Sequence, residues 1–164
     1  MANQISPQTP KSYLKVNTII HLALFMGQLV FGVLVMLEVP QKGIDITNTN
    51  NPFLFVVPVV AIGSLILSTI LFKKNLGMAI NNPTLKGKLM GYQTALITRF
   101  APMEGASLFG IVSYMQTGNL LFILITGLIM LYFLSLRPTK DKITNDLNLA
   151  YEDKMLFDSN EVLK

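Results

Sequence analysis

Two side chains carry formal charge inside an otherwise apolar stretch of this sequence, Arg99 and Glu104. A guanidinium and a carboxyl held in lipid are costly, and such residues mark ion or proton relays, or sites for charged ligands. The competing reading is a neutralised pair that sets helix register or grips another subunit. Counted from Leu89 at about 1.5 Å per residue, Arg99 lies roughly 15 Å and Glu104 roughly 22 Å along the segment. A spacing of five puts them roughly 140° apart on a straight helix, so they do not meet without a bend. Pro102 stands between them, removes its own N–H and crowds the carbonyl of Thr98, which predicts a kink. Without that bend each needs a partner on another helix, and the candidates are Gln28 and His21 in the first apolar run.

The elements that must position these groups are membrane helices. Of the 164 residues 51% are hydrophobic and only 13% charged, and the mean hydropathy is +0.51. Soluble domains carry about 25% charged residues, so a cytosolic enzyme, a coiled coil and a disordered chain are excluded. Four runs, 18–38, 53–72, 89–115 and 120–136, approach the roughly 20 apolar residues that a bilayer crossing needs. None alternates polar and apolar residues, as barrel strands do. The expected architecture is an all-α membrane protein: a polar tail over 1–17, a four-helix transmembrane bundle over 18–136, and a C-terminal tail over 137–164.

Basic residues set the expected orientation. Eleven of the 13 Lys and Arg fall in the head, the loop between the second and third runs, and the tail. The loop before the second run holds Lys42 alone, and the connection after the third holds none. The positive-inside rule then puts both termini in the cytoplasm, and the absence of a cleavable leader or transit peptide points to a bacterial inner membrane. In the tail, Thr139 reads as a helix cap, and Ile143, Leu147 and Ala150 form one apolar stripe. That pattern predicts a short amphipathic helix, lying on the membrane or on this protein's own cytoplasmic face, with a docking helix for a soluble partner as the alternative.

Small residues crowd the third run. Gly91 and Ala95, Ala101 and Gly105, and Ala106 and Gly110 each repeat at i+4, the spacing that lets helix backbones approach in lipid. The third helix is therefore expected to be the hub of the bundle or the face toward another subunit.

Chemistry of other kinds has no support. There are 0 Cys and 1 His, which removes thiolate metal sites, thiol nucleophiles and poly-His sites. Ser107 and Ser113 have no base within reach in sequence except Glu104, so no nucleophile is expected. No enzyme activity, cofactor or metal is expected, and the basic residues form no dense aromatic-interleaved patch for nucleic acid. The expected partners are the bilayer and other membrane subunits or further copies of the chain.

One stretch has a familiar pattern. The turn Ala79–Ile–Asn–Asn–Pro83, then Gly87–Lys–Leu89, Thr94–Ala–Leu96 and Met103–Glu–Gly–Ala–Ser–Leu–Phe–Gly–Ile–Val112 resemble the helical hairpin of the rotor-ring c subunit of F-type ATP synthases. The resemblance covers residues 76–113. It implies a cytoplasmic polar turn and, at Glu104, an ion-carrying carboxylate on the second helix of the hairpin. The chain departs from that pattern in the bulky run 57–71, in its first and fourth apolar runs, and in placing Arg99 on the same helix as Glu104. The expected role is an integral or accessory subunit of a larger membrane complex. A homo-oligomeric proton- or ion-coupled channel or carrier using Glu104 is the alternative.

Overall fold

The computed structural model describes residues 9–159, and every regular element among them is a helix. They are α1 (Pro10–Glu38), α2 (Phe53–Ile80), α3 (Leu85–Thr117), α4 (Leu120–Ser135), α5 (Lys140–Asp146) and α6 (Tyr151–Ser159). Four of these six helices start at a side-chain cap that the sequence spells out. Thr9 precedes Pro10 and accepts from the Ser12 amide at 3.2 Å, a cap followed by a proline at the first helical position. Thr84 and Thr139 cap α3 and α5 in the same way, accepting from Gly87 and Lys142. Gly118 ends α3 at φ +73°, the left-handed conformation that glycine adopts without strain.

The outer surface of the helices is largely apolar, and several polar side chains are buried within an apolar core. Ile19, Val30, Leu34, Phe55, Val59 and Ile66 are exposed, while Asn17, His21, Gln28, Ser64, Ser68 and Thr126 are buried. In water such a surface would be an aggregation hazard. In lipid it is the stable arrangement, because apolar side chains face acyl chains and polar ones find partners within the protein. Helices α1, α2 and α3 are each long and apolar enough to cross a bilayer. At 16 residues α4 spans only about 24 Å. It counts as a fourth crossing only if taken together with α5, from which it is bent by 80°.

As expected from its small residues, α3 is the hub, packing against α1, α2 and α4. The first helix starts at Pro10, eight residues before the expected run, because the polar segment 10–17 continues the helix; Tyr13 donates to the Leu89 carbonyl at 2.5 Å. The expected single tail helix is two. The chain leaves α5 through Asn148 at φ 47° and resumes as α6. Ile143 and Leu147 of the predicted stripe are buried, but Ala150 lies in the link and is exposed. Leu149 and Phe157 are buried in its place, in the same cluster as Leu85, Leu89 and Tyr92. The tail is fastened to α3 by Tyr92 donating to Asp146 at 2.7 Å and by a Lys88–Asp153 ion pair at 3.1 Å. It therefore lies on the protein's own face, at the end of the bundle that holds the α2–α3 turn.

Candidate functional site on the third helix

α3 runs unbroken through Pro102, so the predicted kink does not divide it. The charged pair stays on separate sides. The guanidinium of Arg99 lies 4.5 Å from the centre of the Phe72 ring on α2, and its Nη2 is 3.5 Å from the Tyr132 hydroxyl on α4. Among the described residues Nε of Arg99 is buried with no hydrogen-bond partner, and no ion pair joins Arg99 to Glu104. The expected buried pair is thus two half-buried residues that do not contact each other.

The level of Arg99 also differs from the count along the sequence. Phe72 is followed directly by exposed Lys73 and Lys74, which end the uninterrupted apolar surface of α2. Asn75, just past them, donates to the Thr98 hydroxyl at 2.9 Å. Tyr132 is three residues from the end of α4. Three helices therefore agree that Arg99 sits at the rim of the apolar girdle. Residues 85–98 of α3 pair with the part of α2 beyond that rim and extend past it. From Arg99 to Thr117 the helix covers about 27 Å, close to the thickness of a hydrocarbon core. An interfacial arginine stacked on one ring and beside a tyrosine is an ordinary arrangement for a cation at a membrane surface.

Arg99→Leu is consequently expected to destabilise the protein by only about 1 kcal/mol, the scale of an exposed cation–π contact. Its effect should add to that of Glu104→Gln, because the two share no partner. Thermal unfolding in detergent of both single variants and the double variant checks this. A coupling well above 0.5 kcal/mol, beyond ordinary additivity error, would show that the two charges sense each other.

The proposed partners in the first helix are engaged elsewhere. His21 Nε2 donates to the Phe133 carbonyl at 2.9 Å. Its ring stacks on Phe133 at 4.7 Å and meets Phe100 edge-on at 5.1 Å. Gln28 donates to the Leu24 carbonyl at 3.1 Å and borders an apolar crevice of about 170 Å³ beside Gly32, Thr126 and Met130. Both are buried polar residues satisfied within α1 or against α4.

The small residues divide by face. Ala95, Ala106 and Gly110 are buried, and Gly91 is half-buried against Ala79. A Cβ at Gly91 would lie 2.7 Å from the Cβ of Ala79, and one at Gly110 would lie 2.2 Å from Oγ1 of Thr126. These positions pack against α2 and α4. Ala101 and Gly105 do not. Both are exposed, and a Cβ at Gly105 would meet nothing within 4 Å. Glu104 lies beside them, half-buried, about 7 Å along the axis from Arg99 on the girdle side. It makes no hydrogen bond or ion pair among the described residues. Ser113 donates to the Phe109 carbonyl at 2.8 Å, and the Ser107 hydroxyl is buried without a partner, so neither serine is paired with a base.

No family model, curated protein or solved structure matches this chain.

A residue missing from the sequence reading is Asn119. It is 4% exposed and joins the 40–52 loop to the α3–α4 connection. Its side chain accepts from the Asp45 amide at 3.2 Å, donates to the Asp45 carbonyl at 2.6 Å, and accepts from the Leu121 amide at 3.1 Å. The backbone of Lys42 and Gly43 pairs with Gly118 and Leu120 on either side. The one signal in the sequence is an asparagine directly before an apolar helix, which reads as a cap and does not reveal the loop.

Proposed function

We propose that this chain is a multi-pass inner-membrane protein that serves as an integral or accessory subunit of a larger membrane complex. It docks through the outward face of α3. The reading is carried by Glu104, a carboxyl on the apolar girdle with no partner among the described residues, flanked by two small residues that leave room for another helix. A carboxyl facing lipid is expensive, and a second protein that supplies a hydrogen-bond donor or cation removes the expense. Ala101 and Gly105 admit that helix at close range. The head, the α2–α3 turn and the tail, with their lysines, gather at one end of the bundle, and the positive-inside rule assigns that end to the cytoplasm.

If the neighbour is a second copy of this chain, two Glu104 carboxyls approach each other and can share a proton. That arrangement suits the alternative reading, a homo-oligomeric ion or proton carrier, and it too uses the exposed face of α3.

Purification in mild detergent tests the proposal. The wild type is expected to run as an oligomer or with a co-purifying membrane protein. Gly105→Leu and Glu104→Leu are expected to weaken that association roughly three- to thirtyfold, the range of one interhelical hydrogen bond in lipid, while leaving the melting temperature of the isolated chain unchanged. A wild type that runs as a lone monomer sinks the proposal. Proton flux in liposomes that is lost in Glu104→Gln would select the carrier.

A further inference from the structure

The part of the α2–α3 hairpin beyond Phe72 and Arg99 has two faces. One carries the tail through Lys88 and Tyr92. The other is open among the described residues and forms a groove of about 530 Å³, within the range of ligand clefts. Its walls mix amide and hydroxyl groups of Asn75, Gln93 and Thr94 with the apolar side chains of Met78, Met90 and Ile97. The last three are 46–59% exposed. The groove exists because Gly91 and Ala79 bring the two backbones together at its floor.

Its surroundings are cationic without compensation. Residues 73–99 contain Lys73, Lys74, Lys86, Lys88 and Arg99 and no Asp or Glu. Lys88 is spent on Asp153, whereas exposed Lys74 and Lys86 make no hydrogen bond or ion pair among the described residues. Lys74 is one turn from Met78 on α2, and Lys86 is one turn from Met90 on α3, so each stands on the same helical face as a wall residue. The groove begins at the level where the apolar girdle ends and runs outward from it, into the depth occupied by lipid headgroups.

We infer that this groove binds the headgroup of an anionic phospholipid, with its phosphate held by the Gln93 and Asn82 amides and drawn in by Lys74 and Lys86 at the two ends of the groove, and its glycerol and upper acyl carbons against Ile97 at the girdle end. Uncharged donors on the walls, lysines at the rim and apolar side chains facing the membrane match a phosphodiester that continues into hydrocarbon. An acidic peptide would match the lysines but leave the membrane-side apolar wall uncovered.

Native mass spectrometry of the full chain in detergent, with dioleoyl phosphatidylglycerol or dioleoyl phosphatidylcholine added, tests this. The wild type is expected to retain the anionic lipid about thirtyfold better, the scale of two lysines at a membrane surface. Lys74→Ala/Lys86→Ala and Thr94→Trp, the latter filling the groove from an exposed position, are expected to lose that preference with an unchanged melting temperature. Lys11→Ala/Lys15→Ala removes equal charge elsewhere and is expected to keep it. Equal retention of the two lipids by the wild type, or a preference that survives in both groove variants, overturns the inference. So does displacement of the lipid by millimolar inorganic phosphate or by polyglutamate, which would assign the groove to a soluble anion or an acidic protein.

Discussion

Gly91→Val is expected to destabilise the protein by about 3 kcal/mol, at the upper end of ordinary overpacking, and Gly110→Val by somewhat less. At Gly91 the added Cβ would stand 2.7 Å from the Cβ and 3.0 Å from the Cα of Ala79. A backbone atom cannot rotate away, so α2 and α3 must separate, and with them the cluster that holds Phe72, Leu89 and Tyr92. At Gly110 the nearest atom is Oγ1 of Thr126, at 2.2 Å, which can turn aside. Turning costs the hydrogen bond that Thr126 donates to the Ser107 carbonyl at 3.3 Å in a buried site. Gly105→Val is the internal control. Its Cβ meets nothing, so the isolated chain should melt at the wild-type temperature or above, since an exposed helix gains by losing glycine. Equal losses at Gly91 and Gly105 would contradict the packing described.

The same comparison shows what could be read from the chain. The three i+4 pairs look alike in sequence, yet a helix turns about 100° per residue. Ala95 and Ala106 are eleven residues apart and fall within about 20° of one another, whereas Ala101 is about 120° round from Ala95. The pairs could not share one face, and that arithmetic already separates the packed residues from the outward ones. The level of Arg99 had a signal too. Lys73 and Lys74 mark where α2 leaves the apolar girdle, and folding the hairpin at its polar turn brings them near Arg99. Counting depth along α3 alone missed this, because a helix does not stop where lipid stops: α3 has 33 residues and a crossing needs about 20.

The helix ends away from the α2–α3 turn were the most legible, because there the apolar run and the helix stop together, whereas at the turn end α1, α2 and α3 continue four to eight residues beyond their runs. The α2 helix begins where expected, at Phe53, and continues past Phe72 to Ile80. The partners of Arg99, His21 and Gln28 were not legible. Each is fixed by the rotation of one helix against another, and all-apolar helix surfaces carry no amphipathic stripe to report that rotation. Lipid on the outside removes the polar face that would orient a helix in water. The polar residues inside then become the only markers, and they are too few to fix three rotations.

Asn119→Ala is expected to release the 40–52 loop and to destabilise the protein by about 2–3 kcal/mol, from three side-chain hydrogen bonds at about 1 kcal/mol each. One of the three is the cap of α4, itself worth about 1 kcal/mol. The total stays moderate because Asp45 lies in an exposed loop, where its amide and carbonyl find water when Asn119 is gone. The backbone bonds from Lys42 to Gly118 at 3.0 Å and from Leu120 to Gly43 at 2.9 Å remain, but nothing then fixes the register between them. Trypsin cleavage after Lys42 should accelerate about as much as the loop's opening equilibrium shifts, roughly thirtyfold for 2 kcal/mol. Asn119→Asp keeps the two acceptor bonds and loses only the donation to the Asp45 carbonyl, against which it sets a carboxylate. It should open the loop less than Asn119→Ala and more than the wild type. Cleavage at the wild-type rate in Asn119→Ala would mean that Gly118, whose left-handed turn lies against Pro40, holds the loop without help from the side chain.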